Sequence, residues 1–146
     1  MIDTESRLNL ERDRAEVHAY LSERGGGIAC DIGDDAVYWL GVVPRAQPAE
    51  RFTARVIWTA YPWRPASVKF CDGIAGRVDA GHAWPQLPGY RHGSWDICKP
   101  FTAEGYALHP EWATDTNAWR TEGNPFLWVV QTLQRDLDTD FAGRGA

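Results

Sequence analysis

Two prolines three residues apart, in the segment TAYPWRPASVKF (59–70), restrict the fold of this chain more than any other feature. Proline fixes φ and lacks the N–H that a helix turn or a β-ladder needs, so neither a helix nor a central strand runs through Pro62 and Pro65. The chain is expected to cross the sheet edge there as a rigid turn and to resume a short strand at Ser67 to Phe70. The patterns on either side of that crossover then decide the fold class.

Before it, residues 4–23 read as a helix that Thr4 or Ser6 can cap. Leu10, Val17, Tyr20 and Leu21 share one stripe, and Glu11, Arg12, Arg14 and Glu16 cover the rest. Gly25, Gly26 and Gly27 end it. IACDI (28–32), the turn Gly33-Asp34-Asp35 and AVYWLGVV (36–43) make a hairpin. RFTARVIW (51–58) alternates, with Phe52, Ala54, Val56 and Trp58 on the face that covers a core.

After the crossover, residues 71–123 lack a clear period and are rich in Gly, Pro and Trp; a loop of that length is uncommon unless it carries function. The last element is plain: Asn124 caps, Pro125 suits the first helical position, and Phe126, Val129, Val130, Leu133 and Leu137 repeat at helical intervals. The expected fold is α+β: an N-terminal helix, an antiparallel four-stranded meander, a long active-site loop and a C-terminal helix, in a single domain spanning 1–146.

Composition narrows the function classes. With 146 residues and 44% apolar content the chain can bury one core. A net charge of −5, with no basic face, argues against nucleic acid as a partner. No run of apolar residues is long enough for a membrane span, and the amino terminus lacks the apolar core of a signal peptide, so the expectation is a cytoplasmic protein with no membrane partner. Cys30, Cys71 and Cys98 are widely spaced and odd in number, which fits neither a disulfide framework nor a zinc site, and no cofactor is called for.

Chemistry concentrates in HGSWDICKP (92–100). Cys98 follows a short apolar residue and precedes a Lys-Pro stop, so its thiol is expected where a strand gives way to a loop, as a nucleophile or as a small buried hydrophobe. Cys30 and Cys71 fall within strands and read as core. His92 is the nearest histidine; His82 and His109 are further candidates. Asp96 and Asp115 read as turn residues, although an acid near a thioester helps to deprotonate an incoming amine.

Three segments, in order, resemble the ubiquitin-conjugating enzymes, and specifically their divergent bacterial relatives. GDDAVYWLGVVP (33–44) is similar to the family's second strand, which an acidic turn precedes. YPWRPASVKF is similar to its Tyr-Pro-x-x-Pro-Pro-x-Val-x-Phe signature through Tyr61, Pro62, Pro65, Val68 and Phe70, with Ala66 in place of the last proline. GSWDIC resembles the Gly-x-x-Cys approach to the catalytic cysteine, with Gly93 displaced. Trp119 and the helix from Asn124 fill the places of the family's Trp and following helix, so the resemblance covers residues 5–138. Two features depart from it. The His-Pro-Asn triplet before the cysteine is replaced by Pro88, Gly89 and Tyr90, and the sequence has no counterpart of the family's last two helices.

The resemblance implies an acyl transferase in which Cys98 takes the carboxy-terminal acyl group of a ubiquitin-like modifier from an activating enzyme, as a thioester, and passes it to an amine. His92 ranks first to replace the missing Asn as oxyanion donor, ahead of Tyr90, His82 and backbone amides. The implied partners are the modifier, the activating enzyme and a deconjugating metalloprotease, and the implied setting is antiphage defence. The alternative is a catalytically inactive module of the same fold that binds a ubiquitin-like protein or another partner. A third reading is a small cysteine hydrolase pairing Cys98 with His92 or His109, which requires a Cys–His hydrogen bond.

Overall fold

A computed structural model describes residues 2–146. Helix α1 spans Thr4–Glu23, and its cap is Asp3 rather than Thr4 or Ser6: the Asp3 carboxylate accepts from the Ser6 amide at 2.9 Å. Ser6 is diverted to other work. Its hydroxyl donates to Asp3 at 2.8 Å and accepts from the Tyr61 amide at 3.0 Å, joining α1 to the proline crossover.

Strands β1 (Gly27–Cys30), β2 (Val37–Val42), β3 (Phe52–Ile57) and β4 (Ser67–Cys71) form an antiparallel meander in the order β1-β2-β3-β4. β1 ends two residues before its expected boundary because the Asp31 carboxylate accepts from Gly33 N and Trp39 Nε1, which turns the chain. The pairs Leu40↔Ala54 and Ala54↔Phe70 put one row of side chains on the inner face. β3 keeps its alternation, with Phe52, Ala54 and Val56 buried, and Trp58 is buried just beyond it.

Helix α3 (Pro125–Asp140) starts as its sequence indicates, with the Asn124 side chain accepting from Leu127 N at 3.0 Å. Its Phe126, Val129, Val130, Leu133 and Leu137 meet Leu10, Val17 and Leu21 of α1 and the inner sheet face in one core. The chain is therefore α+β, and among the described residues no helix is long and apolar enough to cross a membrane.

Residues 71–123 hold more structure than their sequence indicates. They contain the hairpin β5 (Tyr90–Arg91) and β6 (Asp96–Ile97), the helix α2 (Ala103–Leu108) and two 3-10 turns. Two-residue strands and a six-residue helix are too short to display a hydrophobic period. Beyond α3, the chain runs back along this region, with Gln86 N donating to Gly143 O and Gly145 N to Trp84 O.

Tyr61 joins the two helices at the crossover. Its buried hydroxyl donates to Asp13 Oδ2 at 2.6 Å and accepts from Phe126 N at 3.1 Å. Tyr61→Phe removes both partners at once and is expected to lower unfolding stability by about 1–3 kcal/mol, measured by urea denaturation.

Burial raises the phenols of Tyr38, Tyr61 and Tyr90, Tyr38 being pushed up to about 12. In the unfolded chain they ionise near pH ~10. The folded state thus holds its protons more tightly, so this contribution is complete below pH ~10 and is lost as pH rises above it. Unfolding free energy should fall from pH ~10 upward, and absorbance at 295 nm should show these phenols ionising later in the native protein than in denaturant.

Candidate functional site

The site is built on the β5–β6 hairpin. Tyr90 pairs with Ile97 and Arg91 with Asp96, and the ladder continues for one more bond, from Cys98 N to Gly89 O at 2.8 Å. The turn between the strands uses left-handed backbone at Gly93 (φ 93°) and Trp95 (φ 57°). Strand alternation sends Tyr90 and Ile97 into the core and leaves Arg91, Asp96 and Cys98 on the opposite face. The Cys98 residue is half-buried.

Glycines fix the backbone around the thiol. Gly89 (φ 84°), across from Cys98, holds left-handed backbone that favours glycine, and a Cβ there would press on Lys99 Cε at 2.9 Å and Cys98 O at 3.2 Å. Downstream, the chain turns into α2 over the buried Thr102, whose hydroxyl donates to Ile97 O at 2.5 Å and accepts from Gly105 N at 2.9 Å. Gly105 packs flat on the Lys99 peptide, where any Cβ would overlap the Lys99 carbonyl. Cys98 is thereby held by the opposite strand on one side and by the cap of α2 on the other.

Lys99 lies beyond the end of β6. Its side chain passes over Gly89 and brings Nζ to 4.0 Å from Asp136 Oδ2 of α3, the same carboxylate oxygen that accepts from the Tyr90 hydroxyl at 2.8 Å. Tyr90 is thus engaged with α3. Trp119 closes the other side: its indole donates to Pro62 O at 2.8 Å and packs on Trp58 and Trp128, tying the chain after Cys98 to the proline crossover.

The histidines lie elsewhere. His92 Nε2 sits 3.4 Å from Pro85 O, and its ring packs with Trp84 and Trp95 and against Gly145. His109 stacks on Trp112 at 4.2 Å and meets Glu111 Oε1 at 3.0 Å. Among the described residues, no histidine nitrogen hydrogen-bonds the Cys98 thiol, so the pair a cysteine hydrolase needs is not formed. Cys71 is buried, with its thiol toward Thr53 O, and Cys30 is half-buried beside Tyr38. Burial pushes both of these thiols up, away from the thiolate form. Among the described residues no cluster of His, Cys, Asp and Glu has the geometry to hold a metal.

Gly89, Thr102 and Gly105 shape the site and do not stand out in the sequence. The one signal for them is Thr102 beyond the Lys-Pro stop, a residue type that starts helices. The chain matches no protein-family model and no curated protein.

Gly105 offers a test whose sign matters. In most helices Gly→Ala is stabilising by about 1 kcal/mol. Here Gly105→Ala is expected to destabilise by about 1–3 kcal/mol, because the new methyl must displace the Lys99 carbonyl; thermal melts decide it.

Proposed function

We propose that this protein is a conjugating-type acyl transferase that carries a ubiquitin-like protein as a thioester on Cys98 and passes it to an amine. The observation that carries this reading is the placement of Cys98: on the outward face of a rigid hairpin, after a meander and a proline crossover, with a helix packed behind. That order is the one the sequence resemblance implies. A further detail supports it. Three residues before Cys98, where the Gly-x-x-Cys pattern has glycine, stands Trp95 at φ 57°, a backbone region that glycine enters without strain.

The chemistry suits a fixed, open thiol. The Cys98 thiolate attacks the carbonyl carbon of the modifier's terminal acyl group, held as a thioester on the activating enzyme. The carbonyl electron pair moves onto oxygen, then returns as the first enzyme's thiolate departs, leaving the acyl group on Cys98. In the second half an amine attacks that carbonyl and releases Cys98. The activating enzyme, the modifier and a deconjugating metalloprotease are the partners of this reading, in a setting of antiphage defence.

The lack of a histidine hydrogen bond at the thiol favours a second reading, a binding module of the same fold in which Cys98 is incidental. One experiment separates the two. The protein is incubated with the activating enzyme and modifier of its own genome and with ATP. A conjugating enzyme forms an adduct that thiol reductant cleaves and that Cys98→Ala abolishes, while Cys98→Ser forms an adduct that resists reductant. Capture of the modifier without any adduct means a binding module, and an adduct that survives Cys98→Ala overturns the assignment.

A further inference from the structure

We propose that Arg91, oriented by Asp96, is the cationic donor that serves Cys98 and takes the place in this site of the absent asparagine. This rests on the acyl-transfer reading for its role in catalysis, although its effect on the thiol does not depend on that reading.

The hairpin register carries the argument. Arg91 lies opposite Asp96, and Gly89 lies opposite Cys98, so Arg91 and Cys98 are diagonal neighbours on one face. Such neighbours have Cα atoms about 7–8 Å apart, within reach of a long side chain. No side chain at Gly89 stands beside the thiol on the facing strand. Lys99 carries its Nζ to Asp136 and Glu104 is bonded to Ser67, whereas Arg91 and Asp96 stand opposite each other on the hairpin face that Cys98 shares. Arg91 responds to that neighbour. Its guanidinium is held above the ordinary range first by its hydrogen bond to Asp96 and also by the charges of Asp96 and Cys98.

Asp96 grips one edge of the guanidinium. Arg91 Nε donates to Asp96 Oδ1 and Nη2 to Oδ2, both at 2.7 Å, a two-pronged pairing that fixes the plane of the group. A guanidinium carries five N–H donors. Asp96 takes two of them, which leaves both hydrogens of Nη1 and one of Nη2 without a partner among the described residues. These are what a tetrahedral oxyanion on Cys98 requires: donors fixed before the charge develops. In that step the C–S bond forms, the carbonyl electron pair becomes the oxyanion, and Arg91 donates to it without giving up a proton. Asp96 acts through Arg91 and is a positioning residue.

The test uses the full chain. Alkylation of Cys98 by iodoacetamide is followed across pH by mass spectrometry of its peptide, for the parent, Arg91→Ala and Arg91→Lys. In Arg91→Ala the rate of alkylation at pH 7 is expected to fall about 3- to 10-fold; Arg91→Lys should retain most of the parent's rate. Arg91 is exposed, so a melt close to the parent's should accompany these changes. An Arg91→Ala rate within about 1.5-fold of the parent's overturns the proposal. Thioester formation is read in parallel: a parent that forms none defeats the acyl-transfer reading while the alkylation profile still decides Arg91.

Discussion

When α1, the proline crossover and the start of α3 pack together, the Tyr61 hydroxyl loses its access to water and must find partners in the protein. It donates to Asp13 and accepts from Phe126 N, while Asn124 Nδ2 donates to Asp13 O and the Tyr61 amide bonds Ser6. The tyrosine ring lies edge-on to Trp58 and Phe126. These bonds tie α1, the proline crossover and the start of α3 to one another. The hairpin rests on α3 through Asp136, and Trp119 returns to Pro62.

Most of this framework was legible in the sequence, because its signals are long or chemically exclusive. The alternation in Phe52, Ala54, Val56 and Trp58, the Asn124-Pro125 start and the two prolines each admit few structures. The cap of α1 was misplaced for a local reason: Asp3, Thr4 and Ser6 are all competent caps, and the choice turned on the distant Tyr61 amide that Ser6 accepts from. No one-dimensional pattern contains that contact.

Of the candidate site, only Cys98 was legible in the sequence. Cys98 stood out beside its Lys-Pro stop, but the groups around it are decided by strand alternation within a two-residue ladder. Lys99, the cation next in sequence, lies beyond the ladder and reaches toward α3, while the register puts Arg91, seven residues upstream, diagonal to Cys98. His92, nearest by sequence among the histidines, is drawn to Pro85 O by the return of the chain after α3. Closeness along the chain says little where a turn with two left-handed residues intervenes.

The bond from Tyr90 to Asp136 has a mechanical meaning. A buried phenol whose donor is committed to a carboxylate on α3 gives up that partner if it leaves its position. The hairpin is consequently anchored from beneath at the residue adjoining Gly89, while Gly105 wedges the segment beyond the thiol. In the acyl-transfer reading proposed above, Cys98 is then an anvil and not a jaw: the protein that delivers the acyl group must carry it to a thiol held from two sides.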